Sequence, residues 1–305
     1  MTPAARVAAV IECLDAIAAG APAEKVLTTW ARRNRFAGSK DRAALRDMVY
    51  EAVRRWRSCA WLGGGDGARA RAQGLCRMRG IDPGEIFTGT GYAPAPLSAG
   101  EAAAGQPLET APDAVRLDVP DWLLPRLRAA LGDDTGAVLE ALRDRAEVGL
   151  RVNSLKATRD AVIAELVEAG HAAEPHPLGP TAIRIRGEAR GLTGLDAYRA
   201  GRIELQDAAS QAVVDRLGPW LAGASVLDYC AGGGGKALAM AGYAPARLVA
   251  HDGDPGRMAD LPERARRAGA AIETVTRPEG AFDVVLCDAP CSGSGAWRRQ
   301  PQAKW

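Results

Sequence analysis

Hydrophobic residues in the first 60 positions recur at helical spacing. In residues 4–19 the branched apolar side chains from Val7 to Ile17 fall on one face. A second such pattern begins after Pro22, which suits the first turn of a helix, and a third begins at Ser39, a residue type that caps helices. The pattern therefore predicts an all-α bundle at the amino terminus.

The periodicity fades in residues 62–112, which are rich in Gly, Ala and Pro. Such composition is typical of loops and linkers, above all at 63–67 and 88–105, with short helices as the alternative between them. The first predicted domain is therefore 1–112, a helical part followed by a linker. From Pro120 onward two helical patterns precede a strand at 150–156, a helix at 158–170 and a strand at 182–187. This order predicts an α+β domain over 113–205.

Short apolar strands alternate with helical patterns in residues 206–305. Strands are predicted at 226–229, 247–251, 271–275 and 282–287, and Asp207 is placed to cap the helix before the first of them. Alternating strands and helices imply a parallel sheet with right-handed crossovers. Numbering these four strands alone, we expect the order 3-2-1-4, with a cofactor over the ends of strands one, two and four.

Composition narrows the class of protein. Of the 305 residues, 47% are hydrophobic and 25% are charged, the values of an ordinary globular chain. We find no apolar run of membrane-spanning length and no basic-then-apolar leader. The six cysteines are irregularly spaced, and three histidines without a CxxC pair leave no zinc site. A cytoplasmic protein with no membrane span and no bound metal is expected.

Charge is unevenly distributed along the chain. Residues 1–80 carry 15 Lys and Arg against 7 Asp and Glu, whereas the remainder has a net charge of −6. A basic module suits a polyanionic partner, although a solvated helical surface explains the same bias. The candidates for contact with that partner are Lys40, Arg42, Arg46, Arg54 and Arg55.

The stretch at 225–236, SVLDYCAGGGGK, predicts a strand, a glycine turn and a helix start, the first unit of a nucleotide-binding fold. A P-loop is excluded because Cys230 replaces its first Gly and Ala237 its Ser or Thr. A dinucleotide fingerprint fits only loosely, and a turn without a ligand is a further alternative. S-adenosylmethionine is the remaining ligand, with Asp228 at the end of strand one for its amino-acid part.

The stretch at 282–295, FDVVLCDAPCSGSG, decides between these ligands. A dehydrogenase has no use for Asp-Ala-Pro-Cys after a strand, whereas a pyrimidine methyltransferase does. LDYCAGGGGK, Asp252 with Arg257, and DAPCSGSG together resemble the RNA cytosine-5 methyltransferases of the Sun/RsmB type. GRIELQDAASQ at 201–211 and LRVNSLK at 150–156 are similar to upstream motifs of that family, and Gly233 stands where the family usually has Pro.

The resemblance implies an α/β fold: a Rossmann-like methyltransferase sheet, preceded by an α+β RNA-binding subdomain and an all-α NusB-like domain. It implies S-adenosylmethionine as cofactor and RNA, ribosomal in particular, as partner, with no DNA and with a monomeric chain. It places Arg151 and Asn153 near RNA, although a structural hydrogen bond between subdomains is an equal alternative. The implied cofactor contacts are Cys230, Ala231, Gly232, Gly233, Gly234, Gly235, Lys236, Asp252 and Asp288. The adenine-contacting acid stays open between Glu273 and Glu279.

The resemblance also assigns the chemistry, formation of 5-methylcytosine in RNA. Asp288 is expected near N3 of the cytosine and the cofactor, and Cys291 is expected to assist release of the enzyme from its product. Cys291 is also the only local candidate for the attacking thiol. Cys287 is expected in the core. The chain reaches Trp305 without the Thr-Cys-Ser motif that carries the family's attacking cysteine, so the sheet is expected to be C-terminally truncated. A catalytically inactive RNA-binding fragment is therefore the alternative to a methyltransferase.

Overall fold

The chain forms two compact units. The computed structural model describes residues 1–187 and 189–305. One unit consists of Met1–Ala146 with Cys291–Trp305, and the other is Glu147–Pro290. The division into three domains at residues 112 and 205 stays a prediction.

The first unit is helical. It contains α1 (Pro3–Ala18), α2 (Ala23–Arg33), α3 (Ser39–Arg54), α4 (Trp56–Gly63), α5 (Ala68–Met78), α6 (Pro83–Ile86), α7 (Ala99–Ala103), α8 (Asp113–Arg116), α9 (Leu124–Leu131) and α10 (Thr135–Ala141). The first three confirm the helices predicted from hydrophobic spacing. Gly38 rather than Ser39 is the cap residue of α3, and Ser39 is already helical.

Helices α1 to α5 share one hydrophobic core. Leu14, Leu45, Val49 and Leu75 are each exposed by 1% or less and belong to the same cluster. Fully burying side chains of this size contributes about 1.5–3 kcal/mol each. The predicted amphipathic faces therefore meet in the centre of this unit.

Helix α5 lies between the two predicted loop stretches, where short helices were the alternative, whereas the short helix α7 falls within the predicted loop at 88–105. A Cβ atom on Gly63 of α4 would lie 1.8 Å from the Ala70 carbonyl oxygen, and one on Gly74 of α5 would lie 1.9 Å from that of Cys59. The backbones of α4 and α5 thus approach more closely than any other residue type would permit. The contact face is made of Gly and Ala together with buried polar residues, so it carries little hydrophobic signal.

The second unit holds two sheets. Its elements are β1 (Val148–Val152), α11 (Arg159–Glu168), β2 (Ala172–Pro175), β3 (Ala182–Arg186), α12 (Asp196–Arg199), β4 (Ile203–Leu205), α13 (Ala208–Leu217), β5 (Ser225–Asp228), α14 (Gly235–Met240), β6 (Arg247–Ala250), α15 (Leu261–Ala268), β7 (Glu273–Thr274) and β8 (Val284–Leu286).

The first sheet has the order β2-β3-β1-β4 and is antiparallel throughout. Leu150, Ile183 and Ile203 are fully buried and cluster with Val162 and Leu166 of α11. The predicted strands and helix are confirmed, whereas β2 and β4 were not predicted. Both are short, and β2 has no buried residue that would produce an apolar alternation.

The second sheet has the order β7-β6-β5-β8, and every pairing is parallel. This is the predicted arrangement 3-2-1-4. Asp207 Oδ1 accepts a hydrogen bond from the Ala209 amide at 2.9 Å, which confirms its predicted cap on α13. Right-handed crossovers bring the carboxyl ends of these strands to one edge, where the predicted cofactor residues begin.

The described part of the chain shows neither a membrane-spanning helix nor a cluster of metal-binding side chains. Residues 1–187 and 189–305 contain no helix with the length and apolar character needed to cross a membrane. Across the same residues, no three His, Cys, Asp or Glu side chains are grouped so that they could hold a metal ion.

Candidate functional site

Asp228 ends strand β5 with its carboxylate buried. The residue is 1% exposed, and neither carboxylate oxygen has a hydrogen-bond partner of good geometry among the described residues. Burial raises the pKa of Asp228 from 3.8 to about 6, and the positive charge of Lys236 and the nearby Ala237 backbone amide oppose this rise. A buried carboxylate without well-aligned donors is costly, so this position favours a ligand that supplies them.

The glycine turn after β5 packs too tightly for side chains. Gly232 and Gly234 have φ values of 50° and 77°. A Cβ atom on Gly234 would lie 2.1 Å from Leu261 Cδ1, and Leu261 is fully buried. Both glycines adopt the left-handed conformation of the tight turn that the sequence predicted, and Gly234 also approaches α15 closely. The predicted approach of a ligand to this backbone stays a prediction.

Asp252, two residues beyond β6, holds this turn in place. Its Oδ2 accepts a hydrogen bond from the Gly232 amide at 2.9 Å, and its Oδ1 accepts one from the Asp254 amide at 3.0 Å. Arg257 pairs with the same carboxylate at 3.2 Å. The Asp254 amide, then the Gly232 amide and Arg257, lower the pKa of Asp252. Asp252 is thus ionised and anchors the turn, a structural role beside the predicted contact with the cofactor.

Lys236 and Asp288 form an ion pair across the glycine turn. Lys236 Nζ lies 2.5 Å from Asp288 Oδ2, and the side chains are 17% and 57% exposed. Asp288 follows strand β8, which is the neighbour of β5. The topology therefore brings together two predicted residues that are 52 positions apart.

A buried acidic residue outside the predicted site supports the turn from behind. Glu204 of β4 is 2% exposed and pairs with Arg264 at 2.9 Å and Arg267 at 2.5 Å. Arg264 Nη1 also donates a hydrogen bond to the Gly233 carbonyl. Glu204 lies inside the GRIELQDAASQ motif, so the motif was recognised, but nothing local in it shows that this carboxylate reaches α15.

Arg151 and Asn153 are buried rather than displayed. They are 5% and 4% exposed. Arg151 Nη1 donates to the Leu238 carbonyl at 2.9 Å, and Asn153 Nδ2 donates to the carbonyls of Gly201 at 2.8 Å and Ala268 at 2.7 Å. The bonds to Leu238 of α14 and Ala268 of α15 join the end of β1 to the helices that flank the second sheet, so they favour the structural alternative over contact with RNA.

The three cysteines discussed in the sequence analysis differ in their exposure to solvent. Cys230 is half-buried in the turn, and Cys287 is exposed rather than in the core as expected. Their sulfur atoms are 4.0 Å apart. Cys291 is exposed, and the boundary between the two compact units falls directly before it.

Family comparisons match two segments of the chain that lie largely in the second unit. Residues 119–190 match the ferredoxin-like domain of RsmF/B-like methyltransferases, and residues 220–305 match the family described as 16S rRNA methyltransferase RsmB/F. Together these segments cover about half of the chain. The chain belongs to the RsmB/F methyltransferase family.

Curated relatives agree with the RsmB/F assignment. The chain is 36% identical over 197 residues to ribosomal RNA small subunit methyltransferase B of Shigella sonnei, and the match covers 61% of this chain and 45% of the relative. The protein of the same name from Escherichia coli matches to the same extent. The chain thus spans about half the length of the relatives that it matches.

Solved structures confirm the fold class. The protein PH0851 matches with a TM-score of 0.68 at 22% identity, over 100% of this chain and 78% of that one. A methyltransferase homologue from Pyrococcus horikoshii matches with a TM-score of 0.53 at 24% identity, over 60% of this chain and 63% of that one. These neighbours show a methyltransferase-type α/β fold.

Within this RsmB/F chain, the second unit gathers most of the predicted site. The turn from Cys230 to Lys236, Asp252 and Asp288 surround the buried carboxyl of Asp228, and the charges of Lys236, Asp288 and Asp252 all act on it. Asp228 was noted in the sequence only by its place at the end of a strand. The burial of its carboxylate without a well-aligned donor among the described residues is what identifies Asp228 as a site residue. This property cannot be read from the sequence pattern.

Proposed function

We propose that the chain carries the cofactor half of a methyltransferase that uses S-adenosylmethionine to form 5-methylcytosine in RNA, with ribosomal RNA as the substrate. The observation that carries the proposal is the buried Asp228 carboxylate, which has no well-aligned donor among the described residues, beside a glycine turn and with Asp288 after the next strand. A binding site for a cationic amino-acid group next to an acid at a strand end is what such a reaction requires.

The residues fit this cofactor. Asp228 offers carboxylate oxygens without a well-aligned donor to the cofactor's ammonium group, and Gly232 and Gly234 supply the left-handed turn beside it. Asp252 accepts one hydrogen bond on each oxygen from a backbone amide, and each oxygen retains acceptor capacity for a ribose hydroxyl.

When bound, the cofactor supplies the methyl group. Asp288 is proposed to act as the acid near N3 of the cytosine, and Lys236, 2.5 Å from its carboxylate, holds that side chain in place. Cys291 is proposed to assist release of the enzyme from the methylated product, and it is the local candidate for the thiol that attacks the pyrimidine ring. Arg151 and Asn153 contribute by holding the two sheets together.

Calorimetry with both candidate cofactors tests the proposal. We expect S-adenosylmethionine to bind the chain and NAD to give no measurable heat. Asp252→Ala should weaken binding, because it removes a ribose acceptor and releases the Gly232 amide. Asp260→Ala, an exposed carboxylate of the same unit, is the matched control and should bind normally. Binding of NAD in place of S-adenosylmethionine would refute the proposal.

A second candidate function, RNA binding without catalysis, is favoured by the surface of the first unit. Five cationic side chains are exposed and form no ion pair or hydrogen bond within residues 1–187 and 189–305, namely those of Arg32, Arg33, Arg35, Lys40 and Arg42. Phe36 beside them is 74% exposed, and an exposed ring among cations suits stacking on a base.

Three of the five cations that were expected to contact RNA already have partners within the first unit. Among the arginines expected to contact RNA, Arg46 is paired with Glu24 at 2.7 Å and Arg55 with Asp144 at 3.2 Å. Arg54 is 8% exposed and donates to the Arg298 carbonyl at 3.0 Å. Internal partners therefore occupy these three, and the exposed cations lie at the end of α2 and the start of α3.

Salt dependence distinguishes the two sets of arginines. Replacing Arg32, Arg33 and Arg35 together with glutamine should weaken RNA binding and reduce the slope of log affinity against log salt by about 2, because each phosphate contact contributes about 0.7–0.9. The control Arg46→Gln removes a cation that is already paired. It should leave the slope nearly unchanged, and equal effects of both variants would contradict this assignment.

A further inference from the structure

Two thiols converge at the edge of the parallel sheet. Cys287 directly follows β8, and Cys230 lies two residues beyond β5, which is the adjacent parallel strand. The Tyr229 amide donates to the Leu286 carbonyl at 2.8 Å, so the ladder continues to the point where both cysteines stand. Their sulfur atoms are 4.0 Å apart.

Access separates this pair from the three buried cysteines of the first unit. Cys287 is exposed and Cys230 is half-buried, whereas Cys13, Cys59 and Cys76 are exposed by 2% or less. Burial raises the pKa of Cys13 to about 12 and of Cys76 to about 11. The pKa of Cys230 is raised too, by burial and by its contact with Cys287, so access and not the pKa distinguishes the pair. Oxidants can reach the sulfurs of the pair and not those in the helical core.

We propose that Cys230 and Cys287 are a modification site at which a peroxide forms a reversible disulfide. The sulfur of Cys287, the more exposed of the two, attacks a peroxide oxygen, the O–O bond breaks and water leaves, which gives a sulfenic acid. The sulfur of Cys230 then attacks the sulfenic sulfur, the S–O bond breaks and a second water leaves. Two thiols and one hydrogen peroxide become one disulfide and two waters, so the peroxide accepts the two electrons that the thiols lose.

The disulfide deforms the edge of the sheet. A disulfide bond is about 2.05 Å long, so the sulfur atoms must approach by about 2 Å from their 4.0 Å separation. Cys230 leads into the turn whose Gly232 amide is held by Asp252, and Cys287 leads into Asp288, which is paired with Lys236. The cross-link pulls these two segments toward each other.

Oxidation should therefore impair the proposed cofactor site, a consequence that rests on the proposed function. We expect the affinity for S-adenosylmethionine to fall by about tenfold or more, because both segments that line the Asp228 carboxylate are displaced. Formation of the disulfide itself does not depend on that function. The two parts of the proposal can therefore fail separately.

Peptide mapping of the full chain under non-reducing conditions tests the disulfide. After hydrogen peroxide treatment we expect a peptide that joins Cys230 to Cys287, absent in Cys287→Ser and lost after dithiothreitol. A cross-link from Cys287 to Cys291, or oxidation to sulfinic acid without any cross-link, overturns the proposal.

Calorimetry on the same samples tests the consequence. Before oxidation, the wild-type chain and Cys287→Ser should bind S-adenosylmethionine with the same affinity. After oxidation only the wild-type chain should lose affinity, and dithiothreitol should restore it. Cys291→Ser is the matched control and should keep the oxidant response. If a confirmed disulfide leaves the affinity unchanged, or if the affinity does not recover on reduction, the proposed effect of the disulfide on the cofactor site is overturned. Absence of binding in the reduced chain, with the cross-linked peptide present, instead refutes the proposed function and leaves the modification site supported.

Discussion

Asp228→Asn should stabilise the folded chain at neutral pH and at the same time weaken its binding of S-adenosylmethionine. Asp228 is 1% exposed and its carboxylate lacks a hydrogen-bond partner among the described residues. Its pKa rises from 3.8 to about 6 because of burial. Keeping it ionised at pH 7 therefore costs up to about 3 kcal/mol of folding free energy, and asparagine avoids most of this cost.

The stability gain expected for Asp228→Asn should depend on pH. Because the folded pKa of Asp228 is above its ordinary value, the folded state binds more protons, and the wild type loses stability as pH rises from about 4 through about 6. The advantage of Asp228→Asn should be small near pH 4 and reach its full value above about pH 7. Urea unfolding at several pH values measures it.

The control for this experiment is Glu168→Gln, an exposed carboxylate at the end of α11. It should change stability by less than about 0.5 kcal/mol at every pH. A stability gain for Asp228→Asn that does not depend on pH would contradict the expectation. Its affinity for S-adenosylmethionine should fall because the neutral amide no longer balances the ammonium charge, a trade of stability for function that is common at binding sites.

Glu204→Gln should destabilise the second unit by about 2–3 kcal/mol. Removing one charge of a buried pair leaves the other uncompensated, which typically costs 3–5 kcal/mol. The side chains of Arg264 and Arg267 retain 23% and 16% exposure, so water offsets part of that cost. Because Arg264 also donates to the Gly233 carbonyl, the variant should loosen the glycine turn as well.

Urea unfolding and calorimetry on one preparation measure both effects of Glu204→Gln. Glu263→Gln, an exposed residue on the same helix as the two arginines, is the matched control and should change neither. If both variants lost the same stability, the buried pairing would have no special role. If Glu204→Gln lost stability but kept full affinity, the turn would not depend on Arg264.

The order of the parallel strands could be read from the sequence. Apolar runs of strand length that alternate with helical spacing imply right-handed crossovers, and these leave few topologies open. The arrangement β7-β6-β5-β8 follows from that local information. Helix α5 could not be read in the same way, because it meets α4 through Gly74 and through Gly63 of α4, where apolar side chains would normally lie.

The sequence by itself determined the helical amino terminus, the parallel sheet, the glycine turn and the resemblance to a methyltransferase family. These features depend on residue types at short spacing, which a single chain displays directly. Only the tertiary structure decided which polar groups are buried and with what partner. It left Asp228 without a donor, placed Arg151 on the Leu238 carbonyl, and brought the sulfur atoms of Cys230 and Cys287 to 4.0 Å from each other. Residues so far apart in sequence meet because of strand order and crossover geometry, and no local pattern encodes the distance between their side chains.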